Sequence, residues 1–273
     1  MRAGMTTPRA AVILAGGAGT RLRPLSSDEN PKQFLKLFDG ESLLQRTFAR
    51  LERLLPADAI YVSTNGRYAA KCREQLPRMP EENVIAEPAR RNTAPAIALC
   101  TFAIESRVGT CTVAILASDH YIADEPEFAR VLDRAYEFAE TSEELMTIGI
   151  APTEPNVEYG YLEVGEALEG DVHRVARFTE KPTRERAEEF LRAGNYTWNA
   201  SMFVWRTDVF RRELAAAAPE IAAITAATYE SMPSISIDYA LMEKSKRVAT
   251  IRGDFGWSDV GSFEALRRVG VRV

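Results

Sequence analysis

The sequence predicts an α/β fold: a mostly parallel central sheet flanked by helices on both faces. Three observations lead there. Short apolar runs alternate with amphipathic stretches through the first half of the chain. Those runs are continuously apolar rather than alternating, as strands buried on both faces are. The first of them, Ala10–Ala15, runs straight into a glycine-rich turn, the junction that opens a ligand site in sheets of this kind.

The elements follow in order. Ala10–Ala15 reads as a buried strand. Ser42–Leu55 carries Leu43, Leu44, Thr47, Phe48, Leu51, Leu54 and Leu55 at helical spacing. Ala59–Ser63 is a strand, Tyr68–Leu76 a helix and Asn83–Ala86 a strand. Thr93–Arg107 is a helix, with Thr93 as a plausible N-cap and Pro95 in the first turn, where a missing N–H costs little. Thr112–Ala117 is a strand, Glu127–Glu140 a helix and Leu145–Gly149 a strand. In the second half, Tyr161–Glu166 and Val172–Thr179 read as strands joined by a polar turn. Glu185–Ala193 is a helix ended by Gly194. Ser201–Arg206 is a strand, Val209–Ala217 begins a helical stretch, Val248–Ile251 is a short strand and Phe263–Val269 a last helix. We read one domain, with a changeover near Thr153–Asn156 between a part at about 9–152 and a part at about 153–273.

The 273 residues are 46% hydrophobic and 27% charged, enough for a sizeable core, and the formal net charge is −5. No basic run is present, which argues against nucleic acid or an anionic membrane as partner. No stretch reaches the ~18 apolar residues of a membrane span. Cys72, Cys100 and Cys111 form no C-x-x-C pair, and three reduced thiols in a cytoplasmic protein is the expectation. The two histidines have no nucleophile or zinc spacing around them.

The glycine-rich turn reads Gly16-Gly17-Ala18-Gly19-Thr20-Arg21-Leu22-Arg23-Pro24-Leu25. Glycines let backbone N–H groups approach phosphate oxygens with no Cβ in the way. The turn lacks the Gly-Lys-Ser/Thr of a Walker A loop, and Leu22 stands where a dinucleotide fingerprint needs its third glycine. Arg21, Arg23 and Lys32 bring fixed positive donors of the kind polyphosphate chemistry needs. By itself the segment could equally be a tight surface turn with solvated charges.

Asp119 follows the strand Thr112–Ala117, beyond its carboxyl end, where α/β sheets bind ligands. Asp259 lies in Gly256-Trp257-Ser258-Asp259-Val260-Gly261. Two such carboxylates can share a Mg²⁺ with phosphate oxygens and water, or act as a helix cap and a turn residue. Asn92 and Thr93 open a helix whose N-terminus offers free N–H groups and a positive dipole end, or simply caps itself.

In their order along the chain these segments resemble the sugar-nucleotide pyrophosphorylases, the NDP-sugar nucleotidyltransferases. The G-G-A-G-T-R-L-R-P-L loop with Pro31-Lys32-Gln33-Phe34, the R-N-T-A-P-A-I-A run from Arg91, Ser118-Asp119-His120, the Y-G-Y-L turn from Tyr159, F-T-E-K-P from Phe178, W-N-A-S-M-F from Trp198 and G-W-S-D-V-G from Gly256 all match. The proline-lysine-glutamine-phenylalanine version and the R-N-T-A-P-A run are most similar to its mannose-1-phosphate guanylyltransferase branch. The resemblance implies a Rossmann-like nucleotidyltransferase fold with a mixed sheet and a sugar-binding lobe in the second half. It implies nucleotide contacts from Gly16, Gly17, Gly19, Thr20, Arg21, Lys32, Asn92, Thr93 and Ser118. Gly160, Glu180, Lys181 and Asn199 would meet the sugar phosphate, Asp119 and Asp259 would hold Mg²⁺, and Arg21, Lys32, Asp119 and Lys181 would carry catalysis. Ala200-Ser201 departs from the family's usual Ser-Gly and puts a backbone contact there in question. Arg23, where many bacterial members have Trp, and His120 are left without a role, and Ser236–Lys244 reads as a structural, Asp-led helix start.

The implied reaction joins GTP and mannose 1-phosphate to give GDP-mannose and pyrophosphate. Glucose 1-phosphate with dTTP or UTP is the alternative pair, and a non-catalytic nucleotide-sugar-binding regulator the alternative class. Many relatives carry a C-terminal β-helix or isomerase domain; the expectation for this chain is neither, with a homodimer open.

Overall fold

The computed structural model describes residues 7–17 and 19–271. Among the described residues nine strands form one sheet: β1 (Arg9–Leu14), β2 (Ile60–Asn65), β3 (Val84–Glu87), β4 (Thr112–Ala117), β5 (Leu145–Ile150), β6 (Tyr161–Glu169), β7 (Val172–Thr179), β8 (Tyr196–Arg206) and β9 (Val248–Gly253). The helices are α1 (Leu43–Leu51), α2 (Ala69–Gln75), α3 (Thr93–Val108), α4 (Glu125–Thr141), α5 (Arg184–Ala193), α6 (Thr207–Ala217), α7 (Pro219–Ala222) and α8 (Phe263–Arg268).

The sheet order is β3-β2-β1-β4-β8-β5-β9-β7-β6. The first four strands run parallel, as the α/β pattern of the first half requires. β8, from the second half, is inserted antiparallel between β4 and β5, while β9 lies parallel to β5. The two halves of the sequence therefore share one mixed sheet. The first three residues of β8 also pair with β6, so the strands of the second half curl back on it. That stretch, Tyr196–Ala200, lies outside the strand expected at Ser201–Arg206, because Asn199 and its neighbours read locally as a turn.

Successive residues face opposite cores. Ala11 and Ile13 of β1 and Ala114 and Leu116 of β4 join the layer under α1, α2, α4 and α5. Ala10, Val12, Val113 and Ile115 join the layer under α3, α6 and α7. Local chemistry sets the helix ends. Ser42 and Gln45 make a reciprocal capping box at α1. Asp124 caps α4 through the Glu127 N–H, starting it two residues before the expected Glu127, with Pro126 in its first turn. The Ser236–Lys244 segment forms a wide π-helical turn, Asp238–Met242.

Candidate active site

The glycine turn follows β1 at the carboxyl edge of the parallel strands. Ala15 anchors it: its carbonyl accepts from Gln33 Nε2 at 2.8 Å and Thr64 Oγ1 at 2.9 Å. Gly19 adopts φ +61°, and a Cβ there would stand 2.7 Å from both N and Cβ of Lys32. Glycine is thus required twice, for the left-handed backbone and for the close approach to Lys32. Gly16 backs onto Glu87, a buried carboxylate at the end of β3 that accepts from Ser63 Oγ and Tyr229 Oη at 2.8 Å each. Burial pushes the Glu87 carboxyl above its usual range. Gly17, Thr20 and Arg21 face solvent. Arg23 turns outward to Asp28, 2.7 Å away.

Lys32 joins the two acidic motifs. Its Nζ lies 2.8 Å from Asp119 Oδ2 and also donates to the carbonyl of Asp259. Burial pushes the Asp119 carboxyl upward, but the charges of Lys32 and His120 outweigh it and hold the group below the usual carboxylate range. The motifs meet because the loops after β4 and β9 pair: Tyr121 and Ser258 exchange backbone hydrogen bonds of 2.9 and 3.1 Å. Val260 is pinned beside Asp259 at φ +46°, a strained conformation for a β-branched residue, and is buried with Leu22, Leu35 and Leu266. Asp259 Oδ1 accepts from Tyr159 Oη at 2.8 Å and from the Gly261 N–H at 3.2 Å, while Oδ2 faces Arg21 Nη2 at 3.9 Å. Arg21 also reaches Glu158 at 3.3 Å.

Each carboxylate thus keeps lone pairs free. The pair suits a hard divalent cation whose remaining positions are filled by substrate oxygens and water. Among the described residues no group of three or more His, Cys, Asp or Glu could hold an ion unaided. His120 receives Trp257 Nε1–H at 3.2 Å, edge-on to that ring. Burial first, and then the Lys32 charge, push the imidazole below its usual range, against the opposing charge of Asp119.

Beside this junction lies a cavity of about 500 Å³ whose wall includes Asn92, Thr93, Gly160, Glu180, Lys181, Asn199 and Asp259. Gly160, Glu180 and Asn199, far apart in sequence, touch: a Cβ on Gly160 would stand 2.5 Å from Glu180 Oε2 and 3.3 Å from Asn199 Cβ. Lys181 Nζ pairs with Glu180 Oε1 at 3.2 Å from a φ of +46°. Ser201 sits at φ +52°, so the backbone bend that glycine would favour is kept with a serine in it.

The start of α3 differs from expectation. The Thr93 N–H is taken by Asn92 Oδ1 at 2.8 Å and the Ala94 N–H by the Ile235 carbonyl at 3.1 Å. Thr93 Oγ1 accepts from the Ile237 N–H at 2.9 Å. What this end offers a ligand is therefore side chains and dipole, with its first two N–H groups already satisfied. Arg91 donates to the Glu230 carbonyl. Ser118 is buried, its backbone bonded to Leu14 and Thr47.

Residues 10–272 match the family described as Nucleotidyl transferase. The chain belongs to that family. This nucleotidyl transferase is 40% identical to a mannose-1-phosphate guanylyltransferase of Klebsiella pneumoniae over 94% of its own length and 59% of that relative. It is 39% identical to one of Escherichia coli, with the same coverage. It thus spans about three-fifths of the curated relatives it matches. A solved structure from Thermus thermophilus, described as a mannose-1-phosphate geranyltransferase, superposes with a TM-score of 0.89 at 33% identity, covering 98% of this chain and 80% of that one. Four site features of the nucleotidyl transferase escaped sequence reasoning: Glu87, Tyr159, Gly261 and Asp238. Glu87 ends a parallel strand, a position that marks ligand sites; Tyr159 and Gly261 lay inside motifs read for their neighbours.

Proposed function

We propose that this nucleotidyl transferase moves GMP from GTP to mannose 1-phosphate, giving GDP-mannose and pyrophosphate. The observation that carries the reading is the double contact of Lys32, which brings Asp119 and Asp259 together between the exposed glycine turn and the cavity walled by Gly160, Glu180, Lys181 and Asn199. The likeness to mannose-1-phosphate guanylyltransferases favours this substrate pair among sugar nucleotides.

In the reaction a sugar-phosphate oxygen forms a bond to the α-phosphorus of the triphosphate. The bond from that phosphorus to the α–β bridging oxygen breaks, and pyrophosphate leaves with the electron pair. Gly16, Gly17, Gly19 and Thr20 offer the triphosphate a turn that it can approach closely. Arg21 and Lys32 balance its charge, which shifts onto the leaving oxygens. Asn92 and Thr93 line the nucleotide side, with Ser118 supporting the strand end beneath. Lys181 meets the incoming phosphate, while Gly160, Glu180 and Asn199 orient the sugar, so that much of the rate comes from positioning. Asp119 and Asp259 would hold Mg²⁺, which when bound neutralises and orients phosphate oxygens. All three cysteines are free and buried, and no helix among the described residues is long and apolar enough to cross a membrane. The reduced, buried thiols are in keeping with a cytoplasmic enzyme.

The test is pyrophosphate release with Mg²⁺ across four nucleoside triphosphates and three hexose 1-phosphates. A dominant signal with GTP and mannose 1-phosphate is expected, and its loss in a folded Asp119→Ala variant. A dominant signal with dTTP or UTP and glucose 1-phosphate would move the substrate assignment. Silence throughout, from protein that still binds a nucleotide sugar, would make the chain a binding regulator.

A further inference from the structure

We infer that Asp238 is a hydroxyl-binding residue of the sugar pocket, acting beside Glu180, and that Asn199 serves mainly as the positioning residue that holds it. The inference deepens the function proposed above and rests on it.

Asp238 opens the π-helical turn Asp238–Met242 and lines the same 500 Å³ cavity as Glu180 while only 8% exposed. π-Turns interrupt regular helix geometry and are frequent at functional sites. Among the described residues no Lys, Arg or His forms an ion pair with Asp238. The side-chain donor that reaches its Oδ1 is Asn199 Nδ2, at 3.0 Å. A carboxylate this deeply buried, with no cation paired to it, is costly to the fold. Donors brought by a ligand would offset that cost.

Asn199 is otherwise occupied by the protein. Its Oδ1 accepts from Thr147 Oγ1 at 2.9 Å and from the Ser201 N–H at 3.1 Å. The Ser201 N–H, which can only donate, leaves the amide one orientation, with Nδ2 toward Asp238. The hydrogen bonds therefore run Thr147 to Asn199 to Asp238 and end at the cavity.

The chemistry of the corner selects its ligand. Once ionised, as Asp238 is above about pH 7, Glu180 and Asp238 only accept hydrogen bonds. Together they repel a phosphate and suit neutral hydroxyl groups, which donate. The phosphate of a sugar phosphate is drawn instead to Lys181, which pairs with Glu180 at 3.2 Å. The corner thus reads the uncharged part of the hexose, and Asp238 supplies the second acceptor for its hydroxyls.

The test compares wild type with Asp238→Asn and Asn199→Ala, using the hexose 1-phosphate that the protein turns over best and its monodeoxy analogues. Circular dichroism checks that each variant folds. Asp238→Asn should raise KM for the hexose 1-phosphate about tenfold or more, the scale of one hydrogen bond to a charged group, and leave KM for the triphosphate within about twofold. One deoxy analogue should cost the wild type about tenfold and the variant little, since its missing hydroxyl is the one that Asp238 binds. Asn199→Ala should raise the same KM, and the double variant should be no worse than Asp238→Asn alone. Equal rises in both KM values, no rise, or identical losses in both proteins for every analogue would overturn the inference alone. A wild type that turns over no hexose 1-phosphate with any triphosphate would overturn the proposed function, and this inference with it.

Discussion

Lys32 Nζ stands 2.8 Å from Asp119 Oδ2 and donates as well to the carbonyl of Asp259, so one buried ammonium ties the ends of two distant strands together. Lys32→Met keeps the stem and removes the charge. Lys32 is only 7% exposed at its side chain and Asp119 32%, so removing the ammonium leaves a partly buried carboxylate unpaired and stability should fall by roughly 1–3 kcal/mol, more than a surface pair contributes. That loss has a defined sign. The Asp119 carboxyl lies below its usual range, so the stability it contributes is present near neutral pH and lost as pH falls through the carboxylate range. Turnover should drop about 100-fold or more, as the proposed role of Lys32 in balancing triphosphate charge requires. Pyrophosphate release and thermal melts at pH 7.5 measure the two effects separately.

Gly261 is defined by what a side chain would strike. A Cβ there would stand 2.4 Å from Asp259 Oδ2 and 3.3 Å from Arg21 Nη2. Gly261→Ala should therefore displace the carboxylate. We expect kcat/KM to fall about tenfold or more and the half-saturating Mg²⁺ concentration to rise, since a ligand displaced by even 1 Å costs on the order of 100-fold. A metal titration of initial rates reads both.

Ser201 pays for its position with backbone strain at φ +52°. For an L-residue the left-handed region costs roughly 1–2 kcal/mol, partly offset by the lower unfolded-state entropy of serine relative to glycine. Ser201→Gly should stabilise the chain by about 1 kcal/mol, raising Tm by roughly 2–4 °C. Differential scanning calorimetry would show it.

Asp238 sets a pH dependence of stability. Burial first, and then the Glu180 charge, raise its carboxyl to about 7, with Lys181 opposing. The folded state thus holds a proton that the unfolded state releases near pH 4. Its destabilising effect is absent below pH 4 and grows as pH rises toward 7. Asp238→Asn should match wild type at pH 4 and exceed it by on the order of 2 kcal/mol at pH 8. Urea unfolding at the two pH values checks the sign. A gain in stability together with a loss of sugar binding is the trade expected of a binding residue.

Much of this was legible in the chain itself. The alternation of apolar runs with amphipathic stretches depends on local periodicity, and both faces of β1 and β4 are buried as that periodicity requires. The glycine turn, Asp119 beyond β4 and the Gly256–Gly261 loop could be named because each is a short segment whose chemistry is contained in its own residues. The sequence by itself determined the fold class and the inventory of charged and glycine positions. Only the tertiary structure decided which of them meet. The insertion of β8 between β4 and β5 depends on pairings between distant strands, which no local pattern encodes. Asp238, read locally as a helix start, becomes a wall of the cavity beside Glu180 because Asn199, on β8, reaches its carboxylate. The first N–H groups of α3, open to a ligand by local rules, are partly closed because Ile235 arrives from far along the chain. Hydrogen bonds and burial across such separations are properties of the packed chain, and they turned a list of candidate residues into a site.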